Sequence, residues 1–390
     1  FDPRLEERMR AVLPAARRSG ARIITNMGAA NPAAAAGKVA EIARDLGLEG
    51  LRVAAVLGDD VLSAVQVADL AFVDRPGRVS DLGDRVISAN AYLGAWPIAE
   101  ALDQGADVVV TGRVCDAALF LAPMIHRFGW AVDDWTRLGR GTVVGHLLEC
   151  AGQLTGGYFA DPGVKDIPAL ARLGFPFADV SANGDAVLGK LPDTGGRLSA
   201  ATCSEQLLYE VIDPATYLQA DVTADFSGVR FQEIAPDRIA VSGAGGAPRP
   251  ATVKVSVGYH DGFMGEGQIS YAGLGAAARG RLAIDIVRER LKQTGVEVDA
   301  LDCTLIGLDS VDRRPVRPED EAAAREVRAR IAARASSALA ADRIGAEVEA
   351  LYTNGPAGGG GVTRRMSEVI AIGSVLLPRE QVSASVQLWE

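Results

Sequence analysis

Four turns and one helix hold the residue types that could do chemistry. The turns are Asn26-Met27-Gly28, Gly58-Asp59-Asp60, Asn90-Ala91-Tyr92 and Gly112-Arg113-Val114-Cys115-Asp116, each following a short apolar run. Asn26 and Asn90 can donate hydrogen bonds to a carbonyl and stabilise enolate-like charge, and Gly28 belongs to the same substrate-binding turn as Asn26. Arg113 can pair a carboxylate or a phosphate. Asp116 can carry a proton in general acid/base catalysis. The helix contributes Gly145-His146-Leu147-Leu148-Glu149-Cys150. His146 and Glu149, three residues apart, share a face, and Cys150 lies on its neighbouring edge. These three can form an acid/base pair or a His-activated thiol. A metal centre needs more ligands than this spacing supplies, so no metal is expected. The competing structural reading is a His satisfied by Glu in a helix interface, with Asn and Asp as caps and Cys as a small core filler.

The sharpest local feature lies near the far end: Leu351-Tyr352-Thr353-Asn354-Gly355-Pro356-Ala357-Gly358-Gly359-Gly360-Gly361. Successive glycines remove every Cβ, so a ligand can approach the backbone and the amides can form an anion nest. Asn354, Gly358, Gly359 and Gly360 are therefore candidate substrate contacts. A flexible connector is the alternative. No Walker loop, Rossmann fingerprint, G-x-S-x-G elbow, H-E-x-x-H or EF-hand loop is present, so no cofactor is firmly implied.

The elements that must position these groups follow from periodicity. Arg22–Thr25, Arg52–Leu57, Arg85–Ala89 and Asp107–Thr111 read as short strands. Helices are expected from Asn31-Pro32 to Leu46, over Pro97–Gln104 and over Ala117–Arg127. Near-continuous apolar strands separated by helices predict a parallel sheet covered on both faces. In such sheets ligands bind beyond the carboxyl ends of the strands, where the four turns converge on one rim. From Gly156 the texture turns to antiparallel strands: a hairpin around Asn183-Gly184, then Val229–Ile234, Arg238–Val241, Val253–Tyr259 and Gly267–Tyr271. Ala276–Gln293 is an amphipathic helix, Thr304–Leu308 is a strand, Arg325–Arg334 reads as a strand with a helix as the alternative, and Ser336 or Ser337 caps a helix to Leu351. The fold class expected is α/β, with a parallel doubly wound lobe over 1–155 and a mixed α+β, antiparallel-rich lobe over 156–390 that carries the glycine loop 355–361.

At 390 residues the chain exceeds one small core. Its 48% hydrophobic and 23% charged content is that of a globular protein and excludes disorder. No apolar run reaches the ~18–20 residues of a membrane helix. A formal charge of −10 repels phosphodiester backbones, so nucleic acid is not an expected partner. Four scattered cysteines suggest reduced thiols and a cytoplasmic setting. Only five Lys and five Asn occur, so each one at a turn carries more information than usual. Phe1-Asp2-Pro3 leads straight into the amphipathic stretch Arg4–Arg18, which suggests a missing upstream segment.

Six runs then occur in order: T-N-M-G-A-A-N-P (25–32), S-A-N-A-Y-L-G-A (88–95), D-V-V-V-T-G-R-V-C-D-A-A-L (107–119), G-H-L-L-E-C (145–150), T-G-G-Y-F-A-D-P-G (155–163) and L-Y-T-N-G-P-A-G-G-G-G (351–361). Across nearly the whole chain they resemble the acyclic terpene utilisation (AtuA) family. The resemblance implies a long α/β domain, often followed by a small ferredoxin-like domain that here is absent or lies on a separate subunit, and a glycine-rich strand-turn upstream of Phe1. It implies a cytosolic role in catabolism of branched acyclic terpenoids such as citronellol and geraniol, whose intermediates are acyl-CoA thioesters. It brings no settled reaction. The favoured expectation is an enzyme acting on an acyl-CoA or branched acid by hydratase- or lyase-like acid/base chemistry. In it Asp116, or Glu149 with His146, moves the proton, and the Gly358–Gly361 loop touches the CoA arm. The alternatives are acyl transfer by Cys150 or Cys115 and a non-catalytic subunit of a CoA-using complex. A homo-oligomer is expected for a metabolic protein of this size.

Overall fold

The computed structural model describes residues 1–389. It is a mixed α/β protein with both parallel and antiparallel sheets. The chain divides into two compact units, one formed by Phe1–Asp81, Ser88–Val257 and Ser374–Glu390, the other by Leu82–Ile87 and Gly258–Gly373.

The first unit is built on strands Ile23–Thr25, Val108–Thr111 and Val53–Leu57, which run parallel in that spatial order. Strand Ser385–Trp389 adds antiparallel to Val53–Leu57. The apolar strands are continuous because both faces are covered. Val53, Ala55, Val108 and Val110 pack with helices Leu5–Ser19 and Pro32–Asp45 through Leu13, Val39 and Ile42. The alternate residues Ala54, Val56 and Val109 join a second core with Ile98, Leu102 and Leu121, from helices Trp96–Asp103 and Ala118–Phe128. Asn31 caps its helix as its position implies, its side chain accepting from the Ala34 amide at 2.9 Å.

One expected strand sits elsewhere. Val86–Ala91 pairs with the long strand Thr252–Ala272 and is not part of the parallel sheet. Its burial pattern is only partly apolar, unlike the fully buried Val108–Thr111. After helix Trp135–Glu149 come a four-stranded antiparallel sheet, which includes the hairpin Pro176–Val180 and Ala186–Lys190, and a three-stranded one. Helix Ala200–Leu208 follows, begun by a capping box on Ser199 and Thr202.

In the second unit, strands Ala300–Ile306 and Glu326–Ala335 pair antiparallel, and Glu326–Ala335 pairs with Phe263–Ala272. Helices Ala276–Gln293 and Ala338–Glu349 cover one face through Ile284, Val287, Ile344 and Val348, against Ile269, Leu305, Val327, Ala329 and Ile331. Strands expected at Val253–Tyr259 and Gly267–Tyr271 are one strand of 21 residues, Thr252–Ala272. Its glycines admit a helix instead of turning the chain: a Cβ at Gly265 would lie 1.9 Å from the Ala341 carbonyl oxygen.

Candidate functional site

Beyond the parallel strands of the first unit, a buried carboxylate ties the turns together. Asp59 follows Val53–Leu57 and is 4% exposed. Its Oδ2 accepts from Asn90 Nδ2 at 3.0 Å and from the Arg113 amide at 2.9 Å. Asn90 and Arg113 are therefore drawn to one point, Asn90 from a strand outside the parallel sheet. Asn90 spends its amide on this clamp. The Arg113 guanidinium donates to Asp116 Oδ1 at 2.8 Å and to the Val114 carbonyl, and lies 4.6 Å over the Tyr92 ring. Arg113 thus holds Asp116 in place, and its charge is already matched.

Asp116 lines a cleft of about 410 Å³ together with Tyr92, Cys115, Glu149, Glu210 and Tyr217. Lys254 lies on the same wall, 5.2 Å from the Tyr92 ring centroid. Apolar Val73, Leu218, Val253 and Leu376 complete the lining. The polar groups are predominantly acidic, so the cleft suits an uncharged reacting group flanked by proton carriers.

Glu149 comes from the last turn of helix Trp135–Glu149, which is buried along most of its length. Its carboxyl pKa is raised, chiefly by burial; the His146 hydrogen bond opposes this, and the charges of Asp116 and Glu210 add to it. His146 is fully buried, beside the rings of Tyr217 and Phe226. Its Nε2 is 3.2 Å from the Leu207 carbonyl oxygen, which can only accept, so Nε2 carries a hydrogen. Its Nδ1 is 3.1 Å from Glu149 Oε1, and one proton lies in that contact. His146 therefore reaches the cleft only through Glu149, as a positioning residue.

The thiols are poor nucleophiles. Burial, with the charge of Asp221 next, pushes Cys115 up to about 12, and burial also raises Cys150. Cys150 follows the helix and is not part of the cleft lining. Asn26 is exposed in a turn closed by its own carbonyl and the Ala29 amide, and the cleft lining does not include it. Gly28 is needed for packing, since a Cβ there would meet the Thr111 carbonyl oxygen at 2.4 Å.

Asn354, Gly358, Gly359 and Gly360 belong to the second unit, and none of them lines this cleft. They turn the chain from the short helix Leu351–Asn354 into strand Gly360–Pro378. Asn354 bonds back to the Ala350 carbonyl, and Arg279 donates to the Ala357 carbonyl at 2.9 Å. A Cβ at Gly359 would lie 2.8 Å from Ile269 and 3.0 Å from Tyr271, so packing alone accounts for that glycine.

Sequence reasoning missed Asp59 as the clamp, and Glu210, Tyr217 and Lys254 as lining. Glu210 sits at φ 60°, past the end of helix Ala200–Leu208, where no local motif marks it. Lys254 had a signal in its rarity. No helix among the described residues is long and apolar enough to cross a membrane. No curated protein and no solved structure matches the chain. The family model described as acyclic terpene utilisation family protein AtuA matches residues 1–388, and the chain belongs to that family.

Proposed function

We propose that this member of the acyclic terpene utilisation family is an enzyme that adds or removes water, or a proton, on a branched acyl group, carried as a CoA thioester or as the free acid. The observation that carries this reading is the pair of carboxylates in one cleft with opposite surroundings. Glu149 is largely enclosed, raised in pKa and hydrogen-bonded to a sealed His146; Asp116 is half-exposed and ion-paired with Arg113. Two carboxyl groups set apart by environment divide acid and base roles between them. Glu149 is the acid and Asp116 the base. Tyr92 and the apolar wall hold the chain, and the acidic lining keeps CoA phosphates out of the cleft itself.

The test is turnover of branched enoyl- and hydroxyacyl-CoAs by purified protein. Glu149→Gln and Asp116→Asn are expected to lower kcat by roughly 10²–10⁴-fold each. The rate falls as pH rises past the raised Glu149 value, because the acid must be protonated. His146→Gln is expected to move that alkaline limb as well as the rate. Full turnover in both carboxylate variants removes the assignment. Cys-dependent transfer gains little support from thiols raised by burial, and Cys115→Ser is expected to keep turnover.

A further inference from the structure

We propose that the small cavity adjoining the cleft is an oxyanion subsite, in which Arg249, Arg379 and the indole N–H of Trp96 hold a carboxylate or phosphate group of the ligand. The cavity has about 130 Å³ and shares Tyr92, Ala220 and Val253 with the larger cleft. That is room for a few heavy atoms, not for a long chain.

Three donors there lack acceptors. Trp96 Nε1 is buried with no hydrogen-bond partner among the described residues. Such an omission carries a desolvation cost that a bound acceptor removes. Arg249 makes no hydrogen bond or ion pair among the described residues. Arg379 gives Nε and one terminal nitrogen to the Pro250 carbonyl at 3.2 and 3.0 Å, and its other terminal nitrogen has no partner among the described residues.

The charges point the same way. Burial, and next the charge of Arg249, lower the pKa of Arg379, so the two guanidinium groups lie within electrostatic range. Asp221 lies within electrostatic range of both but forms no ion pair with either, spending Oδ2 on the Ala95 amide at 2.8 Å. The three together are net positive even with Asp221 ionised. Two cations held side by side with no touching counter-charge make a site that an oxyanion completes. The adjoining cleft is acidic, so the charged end of a ligand belongs here and its reacting carbons belong there. Only this orientation rests on the function proposed above.

Isothermal titration of the full chain with inorganic phosphate, a branched medium-chain carboxylate and CoA tests the site without turnover. At least one is expected to bind. Arg249→Gln should weaken it by about tenfold, and Trp96→Phe, which keeps an aromatic ring and removes the N–H, by about threefold. Carboxylate alone binding identifies the acid end of the ligand; phosphate and CoA binding identifies the CoA arm. No binding of all three, or wild-type affinity in both variants, overturns the proposal. If Arg249→Gln does not fold, Trp96→Phe decides. Glu149→Gln should bind these anions as wild type does, so a failed acid assignment and a failed subsite give different results.

Discussion

The polar face of the second unit's sheet and the cleft of the first unit are both rich in charge, yet they are finished differently. On the sheet face Arg328 donates to Gln268, Ser270, Thr363 and the Gly361 carbonyl. Arg330 pairs with Glu266 and Asp302, and Arg334 with Asp261. These three arginines have found their partners within the fold. Around the cleft, Glu149 leans on a buried histidine, and Arg249 and the Trp96 N–H are unmatched among the described residues. Charges that satisfy one another complete a structure. Charges held apart at some cost mark a candidate ligand site.

The largest effect should therefore fall on one side of this comparison. Glu149→Gln is expected to lose roughly 10²–10⁴-fold in kcat, while Glu266→Gln, which disturbs a satisfied network, keeps kcat. Steady-state kinetics on the same substrate checks both. Comparable losses in the two variants would break the distinction.

Asp221 gives the next effect, in stability. Burial raises its pKa from 3.8 to about 6, against the Ala95 amide and the charges of Arg379 and Arg249. The folded value is above the unfolded one, so across that interval the folded chain binds more protons and stability falls as pH rises. The loss is complete above about 6 and amounts to about 3 kcal/mol at most. Asp221→Asn keeps an acceptor for the Ala95 amide and removes the buried charge. It should melt above wild type at pH 8, with the gap closing toward pH 4. A variant that melts lower at pH 8 shows instead that the two arginines need this carboxylate.

The same contrast explains what could be read in the sequence. Val53–Leu57 and Val108–Thr111 were legible because burial on both faces demands unbroken apolar runs. Asp59 and Arg113 meet because Val53–Leu57 and Val108–Thr111 end on one rim, whereas Asn90 reaches Asp59 from a strand outside that sheet, which the apolar runs did not foretell. Val86–Ala91 was legible as a strand but not as to partner, because period two identifies a strand and not its sheet. Thr252–Ala272 looked like two strands since Gly262 and Gly265 resemble turn residues, although they serve a bulge-prone backbone and a close helix. The alternation of Val362–Ile372 escapes any reading that ends at the glycine run. The subsite around Arg249 and Arg379 was illegible altogether: the two lie 130 positions apart in sequence, and nothing local joins them.

Gly359→Ala separates packing from ligand contact in the glycine turn. The added Cβ runs into Ile269 and Tyr271 in the second unit's core. Overpacking of this kind costs about 1–3 kcal/mol, read as a lower denaturant midpoint. If the turn serves packing, kcat at a temperature where the variant is folded stays at the wild-type value.

The smallest effect tests the satisfied surface itself. Arg330 and Glu266 have side chains 30% and 25% exposed, and Asp302 shares the arginine. Solvent weakens each attraction, and holding long side chains in one geometry has an entropic cost. Arg330→Gln removes the charge and the terminal nitrogens that reach Glu266 and Asp302. It should lower stability by less than about 1 kcal/mol, and high salt should shrink the difference further because exposed pairs are screened. Arg249→Gln should instead leave stability unchanged or raise it, since it relieves the repulsion on Arg379. Opposite signs in the two denaturation curves, one arginine missed by its fold and the other not, would show that matching, and not charge content, separates the two surfaces.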